Sequence, residues 1–219
     1  MKKPWVQIAL DTLTVKEGVR LAEMAVRIDV DWIEVGTPLI VYGGIDSIRE
    51  IVARAGGRPV VADLKAADAV YKYFARAAEM GADKAVVLGT MDDGTIKEAV
   101  RAGADKGIGI IADMLAVPHN AMVQRAKHLV SLGVDYIMIH LGFDEMKYDS
   151  TKHTYDMVSE VVDAVTVPVG VGTLRLEDAQ KCVQLGASWV VQGNPILSEE
   201  SPEENMRRFV DAIHSLRND

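Results

Sequence analysis

Four segments of the chain repeat one pattern, in which a helical run meets a glycine and an apolar run follows at once. They are Met80-Gly81-Ala82-Asp83, Ala102-Gly103-Ala104-Asp105, Leu132-Gly133-Val134-Asp135 and Leu185-Gly186-Ala187-Ser188. Glycine accepts the left-handed conformation that ends a helix, so each segment is expected to close a helix and open a strand. Repetition of so short a link commits the chain to alternating helices and parallel strands.

The rest of the sequence keeps that alternation. Apolar runs expected as buried strands are Val6–Leu10, Trp32–Val35, Pro59–Ala62, Ala85–Leu88, Ile108–Ala112, Tyr136–Ile139, Val167–Val171 and Trp189–Val191. Helical patterns, with apolar residues recurring at three and four, follow at Val15–Val26, Ile45–Ala55, Ala69–Met80, Thr95–Ala102, Asn120–Leu132, Tyr155–Val165, Leu176–Leu185 and Glu203–Leu216. Such βα units form either a closed barrel or an open doubly wound sheet. No Gly-x-Gly-x-x-Gly follows the first strand, and polar residues stand at the ends of nearly all the strands. The expectation is therefore an α/β chain forming a (β/α)8 TIM barrel, one domain over residues 1–219, with its site at the carboxyl ends of the strands. One connection, Leu141–Thr154, is about twice the usual length and is expected to serve as a mobile lid.

Net charge is −8 and no block of Lys and Arg stands out, which argues against a nucleic-acid or anionic-membrane surface. No stretch approaches the roughly 18 apolar residues of a membrane span. Met1-Lys2-Lys3-Pro4-Trp5 leads straight into a strand pattern, and the lone Cys182 has no partner for an intrachain disulfide. Both suit a cytoplasmic protein.

One stretch carries chemistry on its face. Val60-Val61-Ala62 feeds directly into Asp63-Leu64-Lys65-Ala66-Ala67-Asp68. Residues two apart on an extended chain point the same way, so Asp63 and Lys65 should leave the strand side by side. Carboxylates around an ammonium hold it protonated and can stabilise a developing negative charge. Taken alone, the stretch also reads as a surface ion-pair loop.

If the barrel closes, one rim also collects Asp11, Glu34, Thr90, Asp113, His140, Gly172 and the pair Gly193-Asn194. Singly, Asp11 and Asp113 read as helix caps, and His140 as a core histidine with its hydrogen bonds satisfied. Glu34, inside Trp-Ile-Glu-Val, must find a cation or lose its charge. Glycines past the seventh and eighth strands let backbone N–H groups approach an anion. Their shared position on one rim favours a site.

Asp63-Leu64-Lys65-Ala66-Ala67-Asp68, with Ala9-Leu10-Asp11 and Glu34-Val35-Gly36-Thr37-Pro38, resembles the orotidine 5′-phosphate decarboxylase superfamily over essentially the whole chain. Glutamate at position 34, where the orotidylate decarboxylases usually carry lysine, is similar to the sugar-phosphate branch, which holds the 3-hexulose-6-phosphate synthases and the 3-keto-L-gulonate-6-phosphate decarboxylases. Val87–Lys97, Ala112-Asp113-Met114 and His140-Leu141-Gly142-Phe143-Asp144 lean to the synthases. Two places depart from the family pattern: Ala69-Val70 where Ala-Gly is usual, and Gly193-Asn194-Pro195 where Gly-Gly or Gly-Arg is common.

The resemblance implies a magnesium-dependent carbon–carbon lyase joining formaldehyde to D-ribulose 5-phosphate through an enediolate. Glu34 and Asp63 would bind Mg²⁺, Lys65 would stabilise the enediolate, His140 would act as acid/base, and Asp113 would position a proton or water. Asp11 would hold Lys65 or substrate hydroxyls, while Gly172, Gly193 and Asn194 would receive the phosphate. The last motif aspartate, Asp68, would act in a neighbouring subunit's site, which implies a homodimer with shared active sites. A β-keto-acid sugar-phosphate decarboxylase is the nearest alternative, and a non-catalytic phosphosugar-binding protein is the alternative from another class.

Overall fold

The computed structural model describes residues 3–149 and 151–216. Eight parallel strands close there into one barrel in sequence order: β1 (Trp5–Leu10), β2 (Trp32–Val35), β3 (Val60–Ala66), β4 (Lys84–Leu88), β5 (Gly109–Asp113), β6 (Tyr136–Ile139), β7 (Val169–Thr173) and β8 (Trp189–Gln192). The ring closes through β1 on β8, with Gln7 opposite Val191. The chain is a (β/α)8 TIM barrel.

The outer layer begins with α1 (Val15–Arg27), α2 (Thr37–Gly43), α3 (Ser47–Val52), α4 (Val70–Glu79) and α5 (Asp93–Lys106). It continues with α6 (Met122–Leu132), α7 (Phe143–Tyr148), α8 (Val158–Ala164), α9 (Leu176–Gln184) and α10 (Pro202–His214). The apolar stripes of these helices pack on the outward side chains of the strands to form the main core. Two helices were not anticipated. Thr37–Gly43 is α2, where Pro38 favours a first turn, and α7 lies inside the long Leu141–Thr154 connection.

The glycine repeat holds in three of its four places. Gly81, Gly133 and Gly186 take φ near +100° and end their helices. Gly103 does not: α5 runs through it to Lys106, and Gly107, with φ of 70°, ends the helix instead. A Cβ on Gly103 would stand 2.9 Å from the Ile108 carbonyl oxygen, so glycine there serves close packing. The aspartates that open strands have a plain task. Asp31, Asp83 and Asp135 accept from the N–H groups of Val6, Val60 and Ile110 at 2.7–2.8 Å, covering donors at the start of the preceding odd-numbered strand.

Alternate residues of each strand face the barrel interior. At the amino-terminal end these are aromatic: Trp32 lies 5.1 Å from Trp5 and 5.4 Å from Trp189, and Tyr136 meets Trp189 edge-on at 5.7 Å. The Lys84 ammonium sits 4.3 Å over the Trp32 ring. Ala9, Val61, Val86, Ile111, Met138 and Val191 fill the next level. The interior is thus plugged from below, and the polar side chains gather at the carboxyl ends, apart from Lys84 and Gln7.

Candidate active site

The mouth at those carboxyl ends encloses a cavity of about 650 Å³. Asp11, Glu34, Asp63, Lys65, His140, Gly172, Gly193 and Asn194 all line it, joined by Thr37, Phe143 and Met146. The sequence therefore placed most of its candidates on one wall.

Strand β3 supplies the centre. Its register slips between Ala62 and Ala66, and Lys65 takes a φ of 39°, a left-handed conformation that is strained for a lysine and typical of functional sites. Lys65 Nζ lies 2.5 Å from Asp63 Oδ2 and 3.8 Å from Asp113 Oδ2. Burial alone would lower the Lys65 ammonium, but Asp63, Asp113 and Glu34 outweigh it and hold its pKa above the usual value. The surrounding carboxylates thus favour the charged form of Lys65.

Asp113, wholly buried at the end of β5, carries a second pairing. Its Oδ2 lies 2.9 Å from His140 Nδ1, and its Oδ1 accepts from the Leu115 N–H at 2.9 Å. It caps no helix. The pairing makes His140 Nδ1 the donor and leaves Nε2 free to exchange a proton. Burial works against the His140 imidazolium, but the Asp113 carboxylate prevails and raises its pKa.

Glu34 and Asp63 are both 4% exposed. Glu34 accepts from Gln7 Nε2; burial, then Asp63 and Asp11, push its pKa well above the ordinary carboxylate range. Asp63 Oδ2 also lies 2.8 Å from the Thr37 hydroxyl, whereas the buried Asp63 Oδ1 has no partner among the described residues. Carboxylates thus outnumber cations here, and one carboxylate oxygen is left over. That suits a small hard cation, which takes one or two protein carboxylates and completes its shell with water and substrate oxygens. Among the described residues no three His, Cys, Asp or Glu side chains form a closed cage, and such an ion needs none.

Asp11 lines the mouth but does not cap α1, whose cap is the Thr14 hydroxyl. Nor does it hold Lys65: among the described residues the ammonium pairs with Asp63 and Asp113 alone. Burial, then repulsion from Asp63, raise the Asp11 pKa to about 6 against weaker opposition from Lys65 and His140. Glycines make room for it, since a Cβ on Gly36 would stand 2.1 Å from Asp11 Oδ1 and one on Gly193 2.8 Å from Oδ2. Asn194 is exposed at the rim, its carbonyl 3.3 Å from Gln192 Nε2. Asp68 stands apart, exposed and outside the cavity wall, with its Oδ1 accepting from the Ala69 N–H at 2.8 Å.

Sequence reasoning missed Gln7 and gave no role to Thr37, the partners of the two central carboxylates. Gln7 carried a usable signal, a polar residue inside the buried run Val6–Leu10. The cavity also meets Phe143 and Met146 of α7, so the long connection forms one wall of the mouth. Among the described residues no helix is long and apolar enough to cross a membrane.

The model of the Orotidine 5′-phosphate decarboxylase / HUMPS family matches residues 4–209. 3-Hexulose-6-phosphate synthase 3 of Staphylococcus saprophyticus is 32% identical over 208 residues, 94% of this chain and 97% of that protein. The crystal structure of 3-hexulose-6-phosphate synthase from Salmonella typhimurium superposes with a TM-score of 0.89 at 26% identity, covering 97% of this chain and 100% of that one. The 3-keto-L-gulonate-6-phosphate decarboxylase from Vibrio cholerae shares the fold with a TM-score of 0.79 at 21% identity, covering 99% of this chain and 100% of the other.

Proposed function

The chain belongs to the orotidine 5′-phosphate decarboxylase / HUMPS family, and on that premise we propose that it is a 3-hexulose-6-phosphate synthase-like aldolase condensing formaldehyde with D-ribulose 5-phosphate. It is an enzyme of the carbon–carbon lyase kind. The observation that carries the reading is the chain of contacts through Asp113, with Lys65 Nζ on one side and His140 Nδ1 on the other, at the floor of one mouth.

Each group then has a task. His140 Nε2 takes the proton from C1 of the ketose, and Lys65 Nζ faces the negative charge of the resulting enediolate. C1 attacks formaldehyde, a carbon–carbon bond forms, and the new alkoxide recovers a proton from His140. Asp113 holds the imidazole in one tautomer throughout. Glu34 and Asp63 would hold Mg²⁺, which when bound supplies electrostatic stabilisation to substrate oxygens. Backbone N–H groups around Gly172, Gly193 and Asn194 would receive the phosphate.

We also propose a homodimer in which Asp68 completes the partner's site. Exposed apolar side chains support this: Leu13 after β1, Val41 and Tyr42 on α2, and Tyr73 on α4 all lie on segments near the mouth or Asp68. Loss of CO₂ from a β-keto sugar acid would reach the same enediolate, and the likeness in fold to the gulonate-phosphate decarboxylase favours keeping that second reading.

The deciding experiment incubates the protein with Mg²⁺ and D-ribulose 5-phosphate in D₂O, with and without formaldehyde, and follows the sugar by NMR. Formaldehyde-dependent hexulose phosphate is expected. Exchange at C1 without condensation would retain the enediolate machinery and reject formaldehyde as the electrophile. Neither exchange nor product would reject the reading.

A further inference from the structure

The barrel interior beneath the mouth is apolar but for Lys84, over the Trp32 ring at the amino-terminal end, and Gln7. Gln7, fully buried on β1, gives its amide a single partner among the described residues, Glu34 Oε2. Glu34 Oε2 accepts from the Nε2 end of the Gln7 amide. That orientation strands the Gln7 carbonyl: Oε1 is buried with no hydrogen-bond partner among the described residues. A buried polar atom without a partner is costly, and an apolar residue of the same shape would avoid the cost. Stability therefore does not explain the glutamine. Glu34 has no other hydrogen-bond donor among the described residues, so Gln7 alone fixes its rotamer from below.

We infer that Gln7 is a positioning residue that aims the Glu34 carboxylate at a divalent cation in the mouth. The inference rests on the reading of Glu34 and Asp63 as the residues that hold the ion. It assigns to Gln7 a role that no motif marks. Residues that hydrogen-bond a ligating carboxylate typically govern metal affinity by about 10–100-fold, and that is the effect expected on removing the Gln7 amide.

The test titrates the full-length protein with Mn²⁺ alone, reading free Mn²⁺ by electron paramagnetic resonance, for wild type, Glu34→Ala and Gln7→Met. Methionine matches glutamine in length and cannot donate. We expect wild type to bind Mn²⁺, Glu34→Ala to lose binding, and Gln7→Met to bind about 10–100-fold more weakly with its circular dichroism unchanged. Turnover of Gln7→Met should return to near the wild-type kcat at saturating Mg²⁺. Should Gln7→Met fail to fold, Gln7→Asn keeps the amide, one methylene too short to reach Glu34, and the same weakening is expected. A folded variant at position 7 that binds Mn²⁺ within twofold of wild type overturns the assignment. So does a fall in kcat that excess Mg²⁺ does not restore. Absence of Mn²⁺ binding in the wild type, or binding indifferent to Glu34→Ala, overturns the metal reading itself and the inference with it.

Discussion

Replacing Asp11 by asparagine should stabilise the protein, and only above mildly acidic pH. Asp11 is held between Gly36 and Gly193 at the wall of the mouth, where burial and Asp63 raise its pKa from 3.8 to about 6. A rise of that size corresponds to about 3 kcal/mol between the two ionisation states. Water in the open mouth screens part of this, so about 1–3 kcal/mol is the working range. The folded chain binds the Asp11 proton more tightly than the unfolded chain. Wild type therefore loses stability as pH climbs from 3.8 through about 6, and stays at the lower level beyond. Asparagine has the same shape and no charge to desolvate, so Asp11→Asn is spared that loss. Urea unfolding of both proteins in chelator, at steps from pH 4 to pH 7.5, should show the two curves together at the acid end and separating by up to about 3 kcal/mol above pH 6. A gain that is the same at every pH, or no gain at neutral pH, would refute the reasoning. Turnover should fall in the same variant, the usual cost of relieving a strained site.

Lys65→Ala should lower turnover at least about 100-fold, and a variant within tenfold of wild type would remove Lys65 from the mechanism; mixed with Asp68→Ala subunits it should regain partial activity if sites are shared between protomers. Asp113→Asn should lower the His140 pKa, because Asp113 is the chief group opposing burial there; imidazole NMR shifts against pH would report it, and an unmoved midpoint would break the pairing. Gly170→Ala should cost about 3 kcal/mol or abolish folding, since its Cβ would stand 1.9 Å from the Trp189 ring; a wild-type melting temperature would contradict the packing. Ala69→Gly should stabilise by about 0.5–1 kcal/mol, because Ala69 has a φ of 51°; thermal melts decide it.

That last residue shows where sequence pattern stops. Nothing in Asp68-Ala69-Val70 marks a left-handed turn, yet the backbone takes one at Ala69, where the chain leaves β3 and enters α4. Patterns confined to a single element were legible throughout. The alternation of runs set the barrel, the two-residue period put Asp63 beside Lys65, and Gly81, Gly133 and Gly186 marked helix ends. Gly103 departs from its repeat because a glycine that admits a close neighbour and a glycine that ends a helix look the same in a sequence.

The pairings at the mouth were not legible. Asp113 and His140 are 27 positions apart, as are Gln7 and Glu34, and each pair meets only because the two strands that carry it lie side by side in the sheet. Asp11 was expected to hold Lys65 or substrate hydroxyls, and of these the first is not seen among the described residues: the ammonium pairs with Asp63 and Asp113, and Asp11 sits between two glycines. The sequence by itself determined which residues stand at strand ends and which side they face, since those follow from the geometry of a single element. Which of them share a proton, and which bear a charge without a partner, was decided by the tertiary structure, because burial and distance between strands exist only once the barrel has closed.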